Sequence, residues 1–139
     1  AEVLIQLDRQ DEALPLINKI RQRAANSLEN LKTADGSYIL NYKCELYKPG
    51  VNCTWTKEFA WKAMEWENRL ELACEGRRFF DLQRWGTLEK TMNAYFAVER
   101  NRFDWMNIAR FTAGRDEFFP ISQAQMKWAK GNYTQNPGY

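Results

Sequence analysis

The carboxylates of this sequence crowd into one stretch. Glu65, Glu67, Glu71 and Glu75 lie close together, and Glu67, Glu71 and Glu75 recur every four positions. That spacing puts them on one face of a helix. A cluster of this kind is what a metal site or an acid–base pair requires. The neighbours point elsewhere. Arg69, Arg77, Arg78 and Arg84 interleave with the acids and Asp81 follows. Cations at that density predict a structural ion-pair network between one helix and the next. A hydrolase using Glu71 or Glu75 is the enzymatic alternative. The sequence contains no histidine, which excludes Ser-His-Asp and Cys-His catalysis and any His-bearing zinc site. It also lacks a glycine-rich phosphate loop.

Aromatic side chains are the second candidate chemistry: Trp 6, Tyr 6 and Phe 8. Trp61, Trp66, Phe79, Phe80 and Trp85 fall in helical patterns, and core packing is expected of Trp66, Phe80 and Trp85. Tyr47, Trp55, Phe103, Trp105 and Phe111 fall in irregular stretches. A fixed, exposed indole is a flat apolar platform with a polar edge, suited to the C–H face of a sugar ring. Trp55 and Trp105 are the candidates for that role. Nucleobases stack equally well, but Lys+Arg 20 against Asp+Glu 18 leaves a net charge of +2, too little for a nucleic-acid partner. Of the cysteines, Cys44 and Cys53 flank a Lys48-Pro49-Gly50 turn, so a hairpin would let them bridge; two free thiols is the equal alternative. Cys74 reads as a small buried thiol.

These residues need elements to position them. The 139 residues correspond to one domain. They carry no signal-type leader and no membrane-length apolar run, so the chain is either compact and cytoplasmic or a piece whose targeting segment lies outside it. Residues 1–25 read as a tetratricopeptide-like helical hairpin, with Asp11 capping its second helix and Ala13, Ile17, Ile20 and Ala24 as its inner stripe. Residues 26–56 read as an irregular insertion with one small hairpin, built from Ser37–Tyr42 and Val51–Trp55. Residues 57–100 hold helices: one begun by Thr56, with Phe59, Ala63, Trp66, Leu70 and Ala73 inward and Gly76 as its stop; one over 77–85; one from Leu88, with Met92, Tyr95 and Phe96 inward. Residues 101–139 read as an aromatic loop, a short helix capped by Ser122, and a tail. The fold class is mainly α with long irregular loops.

The run Asn68-Arg69-Leu70-Glu71-Leu72-Ala73-Cys74-Glu75-Gly76-Arg77-Arg78-Phe79-Phe80-Asp81-Leu82-Gln83-Arg84-Trp85-Gly86 resembles the signature of the SusD/RagB family, E-R-x-x-E-L-x-x-E-G-x-R-x-x-D-L-x-R-W-G. Ile17-Asn18-Lys19-Ile20-Arg21-Gln22-Arg23-Ala24 resembles the family's I-N-x-V-R-x-R-A helix. Phe119-Pro120-Ile121 and Gln135-Asn136-Pro137-Gly138-Tyr139 resemble its F-P-I-P and Q-N-P-G-Y ending. Asn68 stands where Glu is usual, and Ser122 replaces the second proline, where it can cap the following helix. The resemblance implies the C-terminal portion of an outer-membrane, cell-surface lipoprotein that is not an enzyme and has no cofactor. Such a protein captures glycans, less often peptides, over a SusC-like TonB-dependent transporter. The N-terminal lipid anchor and most of the ligand surface would lie outside this chain. Within this frame, Glu71 and Glu75 are expected to pair with Arg77, Arg78 or Arg84, with Trp85 packed beneath. The alternative is a tetratricopeptide-type interaction scaffold without a small ligand.

Overall fold

A computed structural model describes residues 1–39 and 43–139. The helices are α1 (Glu2–Gln6), α2 (Gln10–Asn26), α3 (Lys57–Glu71), α4 (Arg78–Arg84), α5 (Leu88–Glu99) and α6 (Gln123–Ala129), with 3-10 turns at Ser27–Leu31 and Asp104–Met106. The chain divides into two compact units, 1–76 and 77–139.

In the first unit α2 packs against both α1 and α3. The contact is lined by Ile5, Ala13, Ile17, Ala60, Ala63 and Met64, all buried. The alanines carry no bulk beyond Cβ, which favours close packing of the helices, and the Arg21–Glu67 pair joins α2 and α3. α3 therefore turns a different face inward from the one the apolar spacing predicts. Ala63 is buried as expected, but Trp66 is exposed and Leu70 is 64% exposed. The helix ends at Glu71, before Gly76, and the chain after it takes up positive φ at Cys74 and Gly76. Thr56 caps α3 as expected, its hydroxyl accepting from the Phe59 N–H at 3.2 Å. Asp11 does not cap α2. Arg9 stands at the cap position and its guanidinium grips Glu12 through two bonds of 2.7 Å, which leaves Asp11 in the first turn, where a negative charge suits the helix dipole.

The irregular stretch of this unit is held by side-chain amides. Asn18 on α2 donates to the Tyr47 carbonyl at 2.9 Å and accepts from the Tyr47 N–H at 2.8 Å. Asn52 accepts from the Lys48 N–H and donates to the Leu46 carbonyl. A carboxamide offers one donor and one acceptor edge, the same pair a neighbouring strand would offer. A small hairpin closes around Asp35–Gly36. Lys32 and Tyr38 form an antiparallel bridge, Thr33 N–H donates to Ser37 O at 2.8 Å, and Ile39 N–H donates to Leu31 O at 2.7 Å. Leu40, Asn41 and Tyr42 of the expected first strand lie outside the described residues. Asp35 accepts from the hydroxyls of Thr33 and Ser37 and from the Ser37 N–H. These bonds favour the carboxylate and hold its pKa at about 2.

In the second unit Leu82, Leu88 and Phe111 form the buried cluster, with Phe79, Trp85, Met92 and Phe96 packed around it. Two sequence expectations fail here. Phe80 is 66% exposed and Tyr95 is exposed, because α4 and α5 turn the Leu82, Leu88, Met92 and Phe96 side inward. Asn93 on α5 repeats the amide clip: it donates to the Phe111 carbonyl and accepts from the Phe111 N–H, both at 2.9 Å. Ser122 caps α6 by accepting from the Gln125 N–H at 3.3 Å. The C-terminal segment clamps the stretch before α6. Gln135 bonds both the N–H and the carbonyl of Ile121 at 2.8 Å. Asn136 donates to the Phe119 carbonyl and the Tyr139 hydroxyl to the Phe118 carbonyl. Gly138, at φ +83°, passes so close to the Arg115 side chain that an added Cβ would fall 2.9 Å from it.

Removing the Asn93 amide strips partners from both polar groups of a buried residue. Asn93→Ala should lower unfolding free energy by about 2–3 kcal/mol, whereas Gln22→Ala, at an exposed helical pair, should change it by less than about 0.5 kcal/mol; denaturant titration measures both. Asp35 has its pKa depressed on folding, so its contribution is complete above the ordinary aspartate range of about 4 and is lost as pH falls through about 2. A carboxyl NMR titration should find that low midpoint in the folded chain and return it to the ordinary range in Thr33→Val/Ser37→Ala.

Candidate functional site

The two indoles singled out as platforms have different fates. Trp55 is half-buried and tied into the packed structure. Its indole N–H donates to the Gln10 carbonyl at 3.0 Å, and its ring packs on Phe59, centroids 5.9 Å apart, and on Tyr47, at 5.6 Å. Tyr47 also meets Phe59 edge-on at 5.6 Å. The cluster pins the irregular stretch to α2 and α3 and covers part of the ring.

Trp105 is 72% exposed, on the 3-10 turn that follows α5. Phe103, 46% exposed, lies beside it with ring centroids 5.7 Å apart and an interplanar angle of 36°. The pair presents two neighbouring apolar faces, and Ile108 is exposed in the same loop. The loop is fixed from below. Met106 between the rings and Ile108 is buried. The Phe103 N–H donates to the Glu99 carbonyl at 2.9 Å. Arg100 donates to the carbonyls of Met106 and Ala109, and Asn93 clips Phe111 at the far end. Phe103 is the member of this pair that sequence reasoning did not select, although its spacing from Trp105 was visible.

Part of the charged network joins α3 to α2, through arginines that the expected pairing did not include. Glu71 pairs with Arg23 of α2, and Glu67 pairs with Arg21 at 2.5 Å. Thus Glu67 and Glu71 of α3 are tied to α2, which packs on the side of α3 that carries Glu67. Glu75 is exposed beyond the end of α3. Arg21 is the hub: besides Glu67 it donates to the Glu45 carbonyl at 2.5 Å and lies over the Tyr47 ring at 4.4 Å. Burial works against its charge, and the Glu67 hydrogen bond and charge outweigh it, so its pKa lies above the ordinary arginine value. Burial likewise pushes the Tyr47 hydroxyl up, with Arg21 opposing. Asp81 is buried and pairs with Arg84 at 3.1 Å. Arg78 and Arg84 both lie over the Trp85 ring, at 5.9 and 5.5 Å, and Arg77 stands at the cap of α4. Trp85 is half-buried against the Leu82–Leu88–Phe111 cluster.

The cysteines are free. Cys44 donates its thiol to the Arg21 carbonyl at 3.5 Å, and Cys53 is half-buried in the turn. Cys74 is exposed in the link after α3, not buried, since the helix ends before it. No group of His, Cys, Asp or Glu among the described residues stands together as a metal site. A cleft of about 400 Å³ lined by Ile5, Gln6, Lys57, Glu58 and Trp61 opens beside α1 and α3. It has no signature in the sequence, because its lining comes from two helices far apart in the chain.

A family model described as the SusD family matches residues 1–139, the whole chain. No curated protein matches it.

The two indoles should separate in stability measurements. Trp55→Ala removes a packed ring and a part-buried hydrogen bond and should cost about 3–5 kcal/mol, while Trp105→Ala should cost less than about 1 kcal/mol. Equal losses in denaturant titration would show that Trp105 is part of the packed structure.

Proposed function

The chain belongs to the SusD family, and on that premise we propose that it works by binding and not by catalysis, as part of a nutrient-capture protein at the cell surface. In this reading it is the C-terminal region of a longer surface lipoprotein of the outer membrane, and its partner is a SusC-like TonB-dependent transporter. No helix among the described residues is long and apolar enough to cross a membrane. In this reading membrane attachment is through an N-terminal lipid anchor outside this chain. The ligand is an oligosaccharide in preference to a peptide.

The observation that carries the reading is the exposed pair Phe103 and Trp105 on a loop held from beneath. Two apolar ring faces, set close together on a fixed turn, match the C–H faces of neighbouring sugar residues. Fixing the rings before binding lowers the ordering cost that association would otherwise incur. The carboxylates suit a binding role better than a hydrolytic one, since Glu67 and Glu71 are committed to arginines and a general acid needs a free proton to give.

The test is calorimetric titration of the full-length protein with maltohexaose and cellohexaose, one α-linked and one β-linked glucan. Trp105→Ala is expected to weaken binding of the preferred glucan about tenfold or more, the scale at which a stacked aromatic anchor acts. Unchanged affinity in Trp105→Ala, or no binding of either glucan by the wild-type protein, would sink the assignment of this loop to sugar contact.

A further inference from the structure

We infer that Arg100 is a positioning residue for the Phe103–Trp105 platform: it sets ligand affinity without touching the ligand. The inference rests on the sugar-contact reading of that loop and extends it to the residue beneath. The platform sits on a turn that leaves α5 and returns to the core at Phe111. A turn of this kind has no sheet to bond its carbonyls, so they must find other donors or face water. The Met106 carbonyl accepts from the Ala109 N–H at 3.0 Å; Arg100 adds a second donor there and supplies the donor of the Ala109 carbonyl. It stands directly after α5 and reaches across the turn, its Nε donating to the Met106 carbonyl at 3.4 Å and its Nη2 to the Ala109 carbonyl at 2.5 Å. Those carbonyls bracket Asn107 and Ile108, immediately after the residue that carries the exposed indole. One rigid fork therefore fixes the returning limb, while the Phe103 N–H bond to Glu99 fixes the outgoing limb. The planar guanidinium can hold two carbonyls at once, which a lysine ammonium on a flexible stem does poorly.

Arg110 lies in the same stretch, carries the same charge and is exposed, and among the described residues it forms no hook of this sort. It separates positioning from simple charge. If Arg100 acted through its charge on the ligand, Arg100→Lys would behave as wild type and Arg110→Ala would weaken binding as much as Arg100→Ala.

The experiment measures glucan affinity and amide hydrogen exchange in the full-length protein for Arg100→Ala, Arg100→Lys, Arg110→Ala and Trp105→Ala. Arg100→Ala should weaken binding about three- to tenfold, the affinity equivalent of re-ordering one or two side chains on association. Arg100→Lys should recover only part of that, and Arg110→Ala should bind as wild type. Without ligand, exchange of the Met106 and Ala109 amides should accelerate in Arg100→Ala and stay slow in Trp105→Ala. Affinity lost in Trp105→Ala but kept in Arg100→Ala would overturn the inference and leave the sugar-contact reading standing. Unchanged amide exchange in Arg100→Ala would overturn it whatever the ligand does. Affinity unchanged in Trp105→Ala would overturn both.

Discussion

The structure depends on a single constraint: long irregular segments without a sheet must still have their backbone groups bonded. Buried N–H and carbonyl groups left unpaired cost as much as a lost hydrogen bond each. Here the carboxamides of Asn18, Asn52, Asn93 and Gln135 satisfy them. Asn18, Asn93 and Gln135 each read both the N–H and the carbonyl of one residue, Tyr47, Phe111 and Ile121. Each thereby imitates a neighbouring strand with one side chain. The consequence is that loops are fixed at chosen points, and the side chains next to those points are fixed with them.

Each clip holds something that matters nearby. Tyr47 is held by Asn18, and Tyr47 carries the ring cluster with Trp55 and Phe59. Phe111 is held by Asn93, and Phe111 returns the aromatic loop to the core of its unit. Ile121 is held by Gln135, just before the Ser122 cap that starts α6. Cations extend the same device. Arg21 bonds the Glu45 carbonyl while pairing with Glu67, and Arg100 bonds the carbonyls of Met106 and Ala109. An arginine in this protein is as much a backbone partner as a charge.

The division of aromatic rings follows from these fixings. Trp55 and Trp105 look alike in sequence, each in an irregular stretch rich in polar residues. One finds a buried carbonyl at Gln10 and two rings to pack on; the other finds a turn whose inward side chain is Met106. An indole needs a partner for its N–H when buried, and only the first location supplies one. The second is left as a face toward solvent, and that difference is what gives a binding reading its location.

Much of this was legible in the residues. The helical character, the caps at Thr56 and Ser122, the short helix at 78–84 and the ordered blocks of the SusD family were all there to be read, because caps and apolar spacing act over a few residues. The clustered acids also announced an ion-pair network. They did not announce Arg21 and Arg23 as partners, since those come from a helix far back in the chain. Periodicity equally failed to tell which face of α3 would be covered, because Ala60 and Met64 on one side and Trp66 and Leu70 on the other are both apolar. Local sequence set where α3 and α6 begin, through the caps at Thr56 and Ser122, and the lack of histidine excluded imidazole chemistry. Which carbonyl each carboxamide and arginine would reach, and which tryptophan would stay in water, was decided only when distant segments met, for a hydrogen bond or a buried ring is defined by its partner and the partner lies elsewhere in the chain.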